Sequence, residues 1–294
     1  MAILLLGAIG MLGQAISAEA RRRGLTLVAV SRHGPDRVVD LSDPDGLRAL
    51  LSSLRPELIV NAAAIASIGA CERDRHQAYR VNTAAVAILV EYCRTAAARF
   101  VQISTDHFFS GDGAAPHGEG APVTLLNEYA RTKHLAEGFA LVAPGALVLR
   151  TNVTGLRGRQ NVPTFAEWAL DALTRRKPLR LFDDFFTSTI DTPSFAAAMF
   201  DLIDRRAHGI VNLAARTVAS KRTFVHALAH ALDIRLDWDE PASVLSLVPP
   251  RAESLGLDVT KAERLLGYAL PDTERVCHNL VSHWKEQCAI PLAS

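Results

Sequence analysis

Ile3-Leu4-Leu5-Leu6-Gly7-Ala8-Ile9-Gly10-Met11-Leu12-Gly13 is the stretch on which the fold turns. Four apolar residues read as a buried strand, and the glycines after them open a helical pattern from Met11 to Arg23. The spacing is GxxGxxG rather than the more familiar GxGxxG. The physical demand is the same: a tight turn, backbone that a pyrophosphate can approach, and a helix N-terminus aimed at negative charge. A glycine triplet alone also fits a plain tight turn. Its place at the first strand-helix junction makes Gly7, Ile9, Gly10, Met11 and Leu12 candidates for holding a dinucleotide.

Outward from that turn, apolar runs alternate with helical patterns. Strands are expected at Leu25 to Val30, Leu58 to Asn61, Phe100 to Ser104 and Leu147 to Arg150. Helices are expected at Leu47 to Leu54, Ala78 to Ala98 and Glu128 to Leu141. This rhythm predicts an α/β fold, a Rossmann-type doubly wound parallel sheet with ligands at the carboxyl ends of its strands. After Arg150 the rhythm changes. A turn-rich stretch (Gly155 to Pro163) precedes a helix from Thr164 to Leu173, a strand from Leu179 to Phe182 and a helix from Pro193 to Ile203. A buried strand from Ile210 to Leu213 and helices from Ser220 to Leu232 and Val259 to Leu266 complete the pattern. The expected organisation is a cofactor domain over 1–152, to which 190–214 returns, and a smaller substrate lobe over 153–189 and 215–294. Gly111 to Val123, rich in glycine and proline, reads as a mobile loop.

Composition narrows the function. The 294 residues are 49% hydrophobic and 21% charged, enough for one large domain or two coupled ones. A net charge of +1 argues against nucleic acid or membrane surfaces as partners. Cys71, Cys93, Cys277 and Cys288 show no CxxC spacing, which argues against a disulfide framework or a zinc site and fits a reducing compartment. The apolar start lacks a preceding positive charge, and no run is long enough to span a membrane. A cytoplasmic protein without a metal is therefore expected.

The second strand runs into Ser31-Arg32, where an NAD-preferring site usually places an acid. A guanidinium there suits a 2′-phosphate, so NADP(H) is preferred, with NAD(H) left open and a solvent-facing arginine as the alternative. Asp40-Leu41 lies where the chain can pass the adenine. Ala62, Ala63 and Ala64 close the third strand with residues small enough for close cofactor approach or simply for packing.

Tyr129-Ala130-Arg131-Thr132-Lys133 places a phenol and an ammonium one turn apart on a predicted helix. An ammonium about 5 Å away favours the phenolate by roughly 3 kcal/mol, or ~2 pK units. YxxxK is common by chance. Here it follows a strand ending in Ser104-Thr105-Asp106, hydroxyls that can bond a substrate carbonyl or merely cap a turn.

Together these motifs resemble the extended short-chain dehydrogenase/reductase superfamily, and within it the dTDP-4-dehydrorhamnose reductase-like, sugar-nucleotide-binding family. The resemblance rests on LLLGAIGMLGQAI, LIVNAAA, YRVN (Tyr79 to Asn82), ISTDHFFSG (Ile103 to Gly111), LNEYARTKHLAE (Leu126 to Glu137), LVLRTN, DDFFTSTIDTPSFA (Asp183 to Ala196), GIVNLAA and LDVTKAERLLGY. It implies that Thr105 bonds a keto oxygen and that Tyr129 donates a proton. It also implies that Lys133 holds the nicotinamide ribose and tunes Tyr129, while Asn82 supports the cofactor site. The implied reaction is NADPH-dependent reduction of a 4-keto-6-deoxy nucleotide sugar. A non-catalytic NADP-binding subunit and an NAD-dependent epimerase or dehydratase are the alternatives, and a homodimer stays open. Two departures fall on the sugar side: His107 stands where the family usually has tyrosine, and Asn152 opens a less aromatic segment than usual. Ser104, Thr105, Asp106, His107, Asn152 and Arg251 are the expected substrate contacts, Arg251 through a diphosphate. His226 and His230, four apart, read as packing or surface residues. Trp168, Trp238 and Trp284 read as core or interface, and Asp183-Asp184 as an edge of the cleft.

Overall fold

The computed structural model describes residues 2–34, 36–158 and 162–289. Its first half is built on central strands buried residue by residue, Ile3–Leu6, Leu58–Asn61 and Leu147–Arg150 throughout, as a sheet covered on both faces requires, while the edge strand Arg37–Val38 is exposed. In chain order these elements are β1 (Ile3–Leu6), α1 (Met11–Arg22), β2 (Leu27–Ser31), β3 (Arg37–Val38), α2 (Pro44–Leu54), β4 (Leu58–Asn61), α3 (Ile68–Arg73), α4 (Arg75–Tyr79), α5 (Ala85–Ala96), β5 (Arg99–Ile103), α6 (Glu128–Ala140) and β6 (Leu147–Arg150). The second half adds β7 (Asn152–Thr154), α7 (Phe165–Thr174), β8 (Leu179–Phe182), β9 (Phe186–Thr187), β10 (Thr189–Asp191), α8 (Thr192–Asp204), β11 (Gly209–Asn212), β12 (Ala219–Ser220), α9 (Lys221–Ala231), β13 (Asp239–Ala242), β14 (Ser254–Leu255), α10 (Thr260–Leu266) and α11 (Thr273–Ala289).

Seven parallel strands form one sheet in the order β11-β6-β5-β4-β1-β2-β3. The order reverses between β4 and β1, and that switch point is where such a sheet opens a crevice. One face is covered by α1 and α8, with Ile16, Phe195, Met199 and Phe200 against the strands. The other is covered by α2, α5 and α6, through Leu47, Leu51, Val86, Leu89, Cys93 and Ala136. Arg23 ties α1 to α8: its guanidinium bonds Asp201 at 2.7 Å and lies over the Phe200 ring. The remaining strands form small pairings, β7 with β10, β8 with β13, and β9 between β12 and β14. A third apolar cluster (Leu170, Leu173, Leu181, Phe224, Leu228, Leu280) holds α7, α9 and α11 together.

Two expectations need correction, and one helix went unforeseen. The single helix expected from Ala78 to Ala98 is broken: one π turn, Arg80–Ala84, separates α4 from α5. That wider turn carries Asn82 and Thr83 inward, where both bond Thr132 of α6. The helix α11 was not anticipated, because its buried Val276, Cys277, Leu280 and Val281 sit among mostly polar neighbours. The segment from Gly111 to Val123 has no helix or strand, yet it is pinned. His117 stacks on Phe109 at 4.3 Å, and its N–H donates to Gly256 O. Within the turn-rich stretch from Gly155 to Pro163, residues 159–161 lie outside the described residues.

Candidate active site

The glycine turn is constrained from inside. Gly7 has φ of +85°, and a Cβ on it would lie 2.8 Å from Ala63 N. A Cβ on Gly13 would lie 2.2 Å from Gly7 O. Larger residues at either position collide with backbone, so strand, turn and helix approach one another only through glycine. α1 begins after Gly10 with no side-chain cap, which leaves its first N–H groups to the crevice. Gly7, Ile9, Gly10, Ser31, Arg32, Asp40, Leu41, Ala62, Ala63 and Ala64 line one cavity of about 460 Å³. The Ser31 hydroxyl donates within its own loop, to His33 O and Gly34 O, while Arg32 stands exposed at the rim. Ser42, through its N–H and hydroxyl, holds the Asp40 carboxyl below its ordinary range. Asn82 is not on this wall. It lies behind it, bonded to Ile65 N, Ile65 O and Thr132 Oγ1. It braces the end of β4 against α6 instead of facing a cofactor.

The crevice continues into a cavity of about 720 Å³ lined by Met11, Leu12, Ser104, Thr105, Asp106, His107, Tyr129, Lys133 and Asn152. Tyr129 and Lys133 come from one face of α6, whose N-cap Asn127 accepts from Ala130 N at 3.0 Å. Burial pushes the Tyr129 phenol up to about 12; the Thr105 hydroxyl pulls it down and the Asp106 charge adds to the rise. The expected lowering by Lys133 is thus overturned. The Lys133 ammonium donates instead to Ile103 O at 2.6 Å, and its own burial brings it down to about 8. Ser104 also departs from expectation. It reaches the cavity wall, but its hydroxyl donates to Glu137 at 2.5 Å. Glu137 is in turn forked by Arg150 at 2.8 to 3.2 Å, both residues being fully buried.

A third cavity, about 640 Å³, shares His107, Asn152 and Phe165 with the second. Arg251 lines it, with a buried Nε that has no hydrogen-bond partner among the described residues. His107 packs edge-on against Tyr129, 5.7 Å between ring centres. Burial, with the charges of Lys221 and Arg251, takes its imidazole down to about 4, so it is neutral at physiological pH. Asn152 Nδ2 donates to Asp106 Oδ2 at 2.7 Å.

The sequence missed much of this wall: Phe165, Arg180, Phe182, Phe185 and Lys221 all face the third cavity, and Arg157 lines the first two. None belongs to a local spacing motif. The only available signal was the aromatic density around Phe185. Trp168, expected in the core or at an interface, is 39% exposed and lines the same cavity. Asp183 and Asp184 turn elsewhere, to Arg222 and to the Ser243–Val244 turn. His226 pairs with Asp239 at 3.2 Å. Among the described residues, no helix is long and apolar enough to cross a membrane.

A dinucleotide crevice that runs directly into a Tyr–Lys helix defines a class, the NAD(P)-dependent oxidoreductases of the extended short-chain dehydrogenase/reductase type. Residues 1–283 match the family model for the RmlD substrate binding domain, and the chain belongs to that family. It is 29% identical, over 95% of its own length and 88% of the relative's, to dTDP-4-dehydrorhamnose reductase of Shigella flexneri. It is 30% identical to dTDP-4-keto-6-deoxy-D-glucose reductase of Streptomyces niveus, over 70% of each chain. The fold matches the crystal structure of a dTDP-4-dehydrorhamnose reductase from Bacillus anthracis in complex with NADP, with a TM-score of 0.85, 18% identity, and coverage of 96% of this chain and 99% of that one.

Proposed function

We propose that the chain reduces the 4-ketone of a 6-deoxy nucleotide sugar with NADPH. The observation that carries this reading is the convergence of Thr105, Tyr129 and Lys133 on one cavity that continues the glycine crevice. In this reading residues 1–152 with 190–214 hold the cofactor, and 153–189 with 215–294 form the substrate lobe. The nicotinamide, when bound, supplies the hydride. The residues of the chain do the rest. The glycine turn and the start of α1 take the diphosphate, and Arg32 takes a 2′-phosphate. Lys133 holds the ribose, and Thr105 polarises the ketone. Tyr129 stays protonated because burial raises its phenol to about 12, which keeps a proton ready for the alkoxide oxygen as it forms. His107, Asn152 and Arg251 face the sugar and its diphosphate.

The test is oxidation of NADPH by the purified protein with a panel of 4-keto-6-deoxy nucleotide sugars. Turnover is expected, and Tyr129→Phe should lower kcat by roughly 10²- to 10⁴-fold while NADPH still binds. Wild-type protein that binds NADPH yet oxidises it with no member of the panel would overturn the proposal.

A further inference from the structure

Lys221 sits in an unusual place for a cation. It is the first residue of α9, where the helix dipole opposes positive charge. Three rings surround its Nζ, those of Phe165 at 4.8 Å, Phe185 at 5.5 Å and Phe224 at 6.0 Å. Ring faces attract an ammonium but give its N–H groups no conventional acceptor. One N–H makes a long contact to Thr189 Oγ1 at 3.4 Å. No other acceptor and no ion-pair partner within 4 Å engages the Lys221 ammonium among the described residues. Burial draws the ammonium well below the ordinary lysine range, against the pull of the Asp106 charge. Donors held out of water in this way call for an acceptor. The side chain lines the third cavity beside His107 and Asn152, so the open side of the ammonium is the cavity itself.

The contacts behind Lys221 lead to the catalytic wall. Thr189 Oγ1 donates to Asn152 Oδ1 at 2.9 Å, Asn152 Nδ2 to Asp106 Oδ2 at 2.7 Å, and Thr105 Oγ1 contacts Asp106 Oδ1 at 3.4 Å. We infer that Lys221 reads the sugar of the substrate, its ammonium donating to a ring hydroxyl of the hexose. The inference rests on the proposed function. A hydroxyl fits better than a carboxylate, because the region already holds the buried Asp106 carboxyl, which burial pushes up to about 7, and a second carboxylate would lose its hydration beside it. The diphosphate is left to Arg180 and Arg251, which line the same cavity.

Calorimetric titration with dTDP and with dTDP-rhamnose separates the two ideas. In Lys221→Met, which keeps the apolar stem, the Kd for dTDP-rhamnose should rise about tenfold or more. The Kd for dTDP, and that for NADPH, should stay within about twofold, since neither ligand offers a hexose hydroxyl. Lys221→Gln, which keeps an N–H donor, should recover part of the loss and serves in its place if the Met variant does not fold. Equal weakening for both nucleotides would place Lys221 on the diphosphate, and unchanged binding of both would remove it from the site; either result overturns the inference. Wild-type protein that binds neither nucleotide would instead defeat the parent reading, and this inference with it.

Discussion

The wall formed by the ends of β1, β2 and β4 is glycine, alanine and backbone, whereas the wall across from it is aromatic and cationic. On the first, Gly7 and Gly13 admit no Cβ, and Gly7, Gly10, Ala62, Ala63 and Ala64 form the floor, with Ser31, Arg32 and Asp40 at its far end. On the second, Phe165, Trp168, Phe185, Lys221 and Arg251 do the facing. In the proposed reading the sheet wall takes the diphosphate common to dinucleotides, with Arg32 at its rim for a 2′-phosphate, so most of its geometry is fixed by strand spacing and tolerates little. In the same reading the lobe wall takes the sugar with side chains, which change without disturbing a sheet.

Substitutions can break that contrast. The largest effect should come from Arg150→Met, behind the sheet wall. It leaves Glu137 buried without its guanidinium and should cost about 3–5 kcal/mol. A denaturant midpoint measures it; a loss below about 1 kcal/mol would mean that the pair is not structurally important. Next is pH. Lys133 is drawn from 10.5 to about 8, so above that pH the folded chain releases the proton first. The unfolded chain then binds more protons, and this group makes stability rise between about 8 and 10.5. The kcat/KM for NADPH-dependent reduction should fall over the same window, by up to about tenfold per unit, because the charged form is the active one. A profile flat to pH 10 would remove Lys133 from the chemistry. Third, Arg32→Ala should lower the preference for NADPH over NADH by about tenfold, through loss of a charge-assisted contact. Equal affinity losses for the two cofactors would show a different role. The smallest effect should be Thr164→Ala in the lobe. Thr164 caps α7 in a reciprocal pair with Glu167, and its loss should lower the stability by about 1 kcal/mol, read as a shift of the denaturant midpoint.

The same contrast sets what the sequence discloses. Alternation of strand and helix was legible because β1, β2, β4 and β6 are mostly apolar runs; the edge strand β3, two exposed residues, was not. The Tyr129–Lys133 pair was legible because helical spacing alone puts both on one face. Lys221 and Phe185 were not, since the strands beside them, β9 and β12, are two residues long and carry no period. Asn82 was legible as a support of the site, but not how it acts, since its orientation depends on a π turn that no propensity marks. The phenol was misjudged in sign: spacing implied an ammonium neighbour, but Lys133 spends its hydrogen bond on Ile103 O and burial raises the phenol.

β11 carries a consequence for synthesis. It is the outer partner of β6, yet 58 residues separate the end of one strand from the start of the other (151 to 208). While the chain leaves the ribosome, β6 therefore presents a bare edge until residue 212 has emerged, and the groove later filled by Phe195 and Phe200 stands open until α8, which ends at residue 204, can dock. A bare edge beside an apolar groove is a template for pairing with the wrong chain. A nascent chain stalled between those points should engage chaperones more strongly than one stalled just after residue 212.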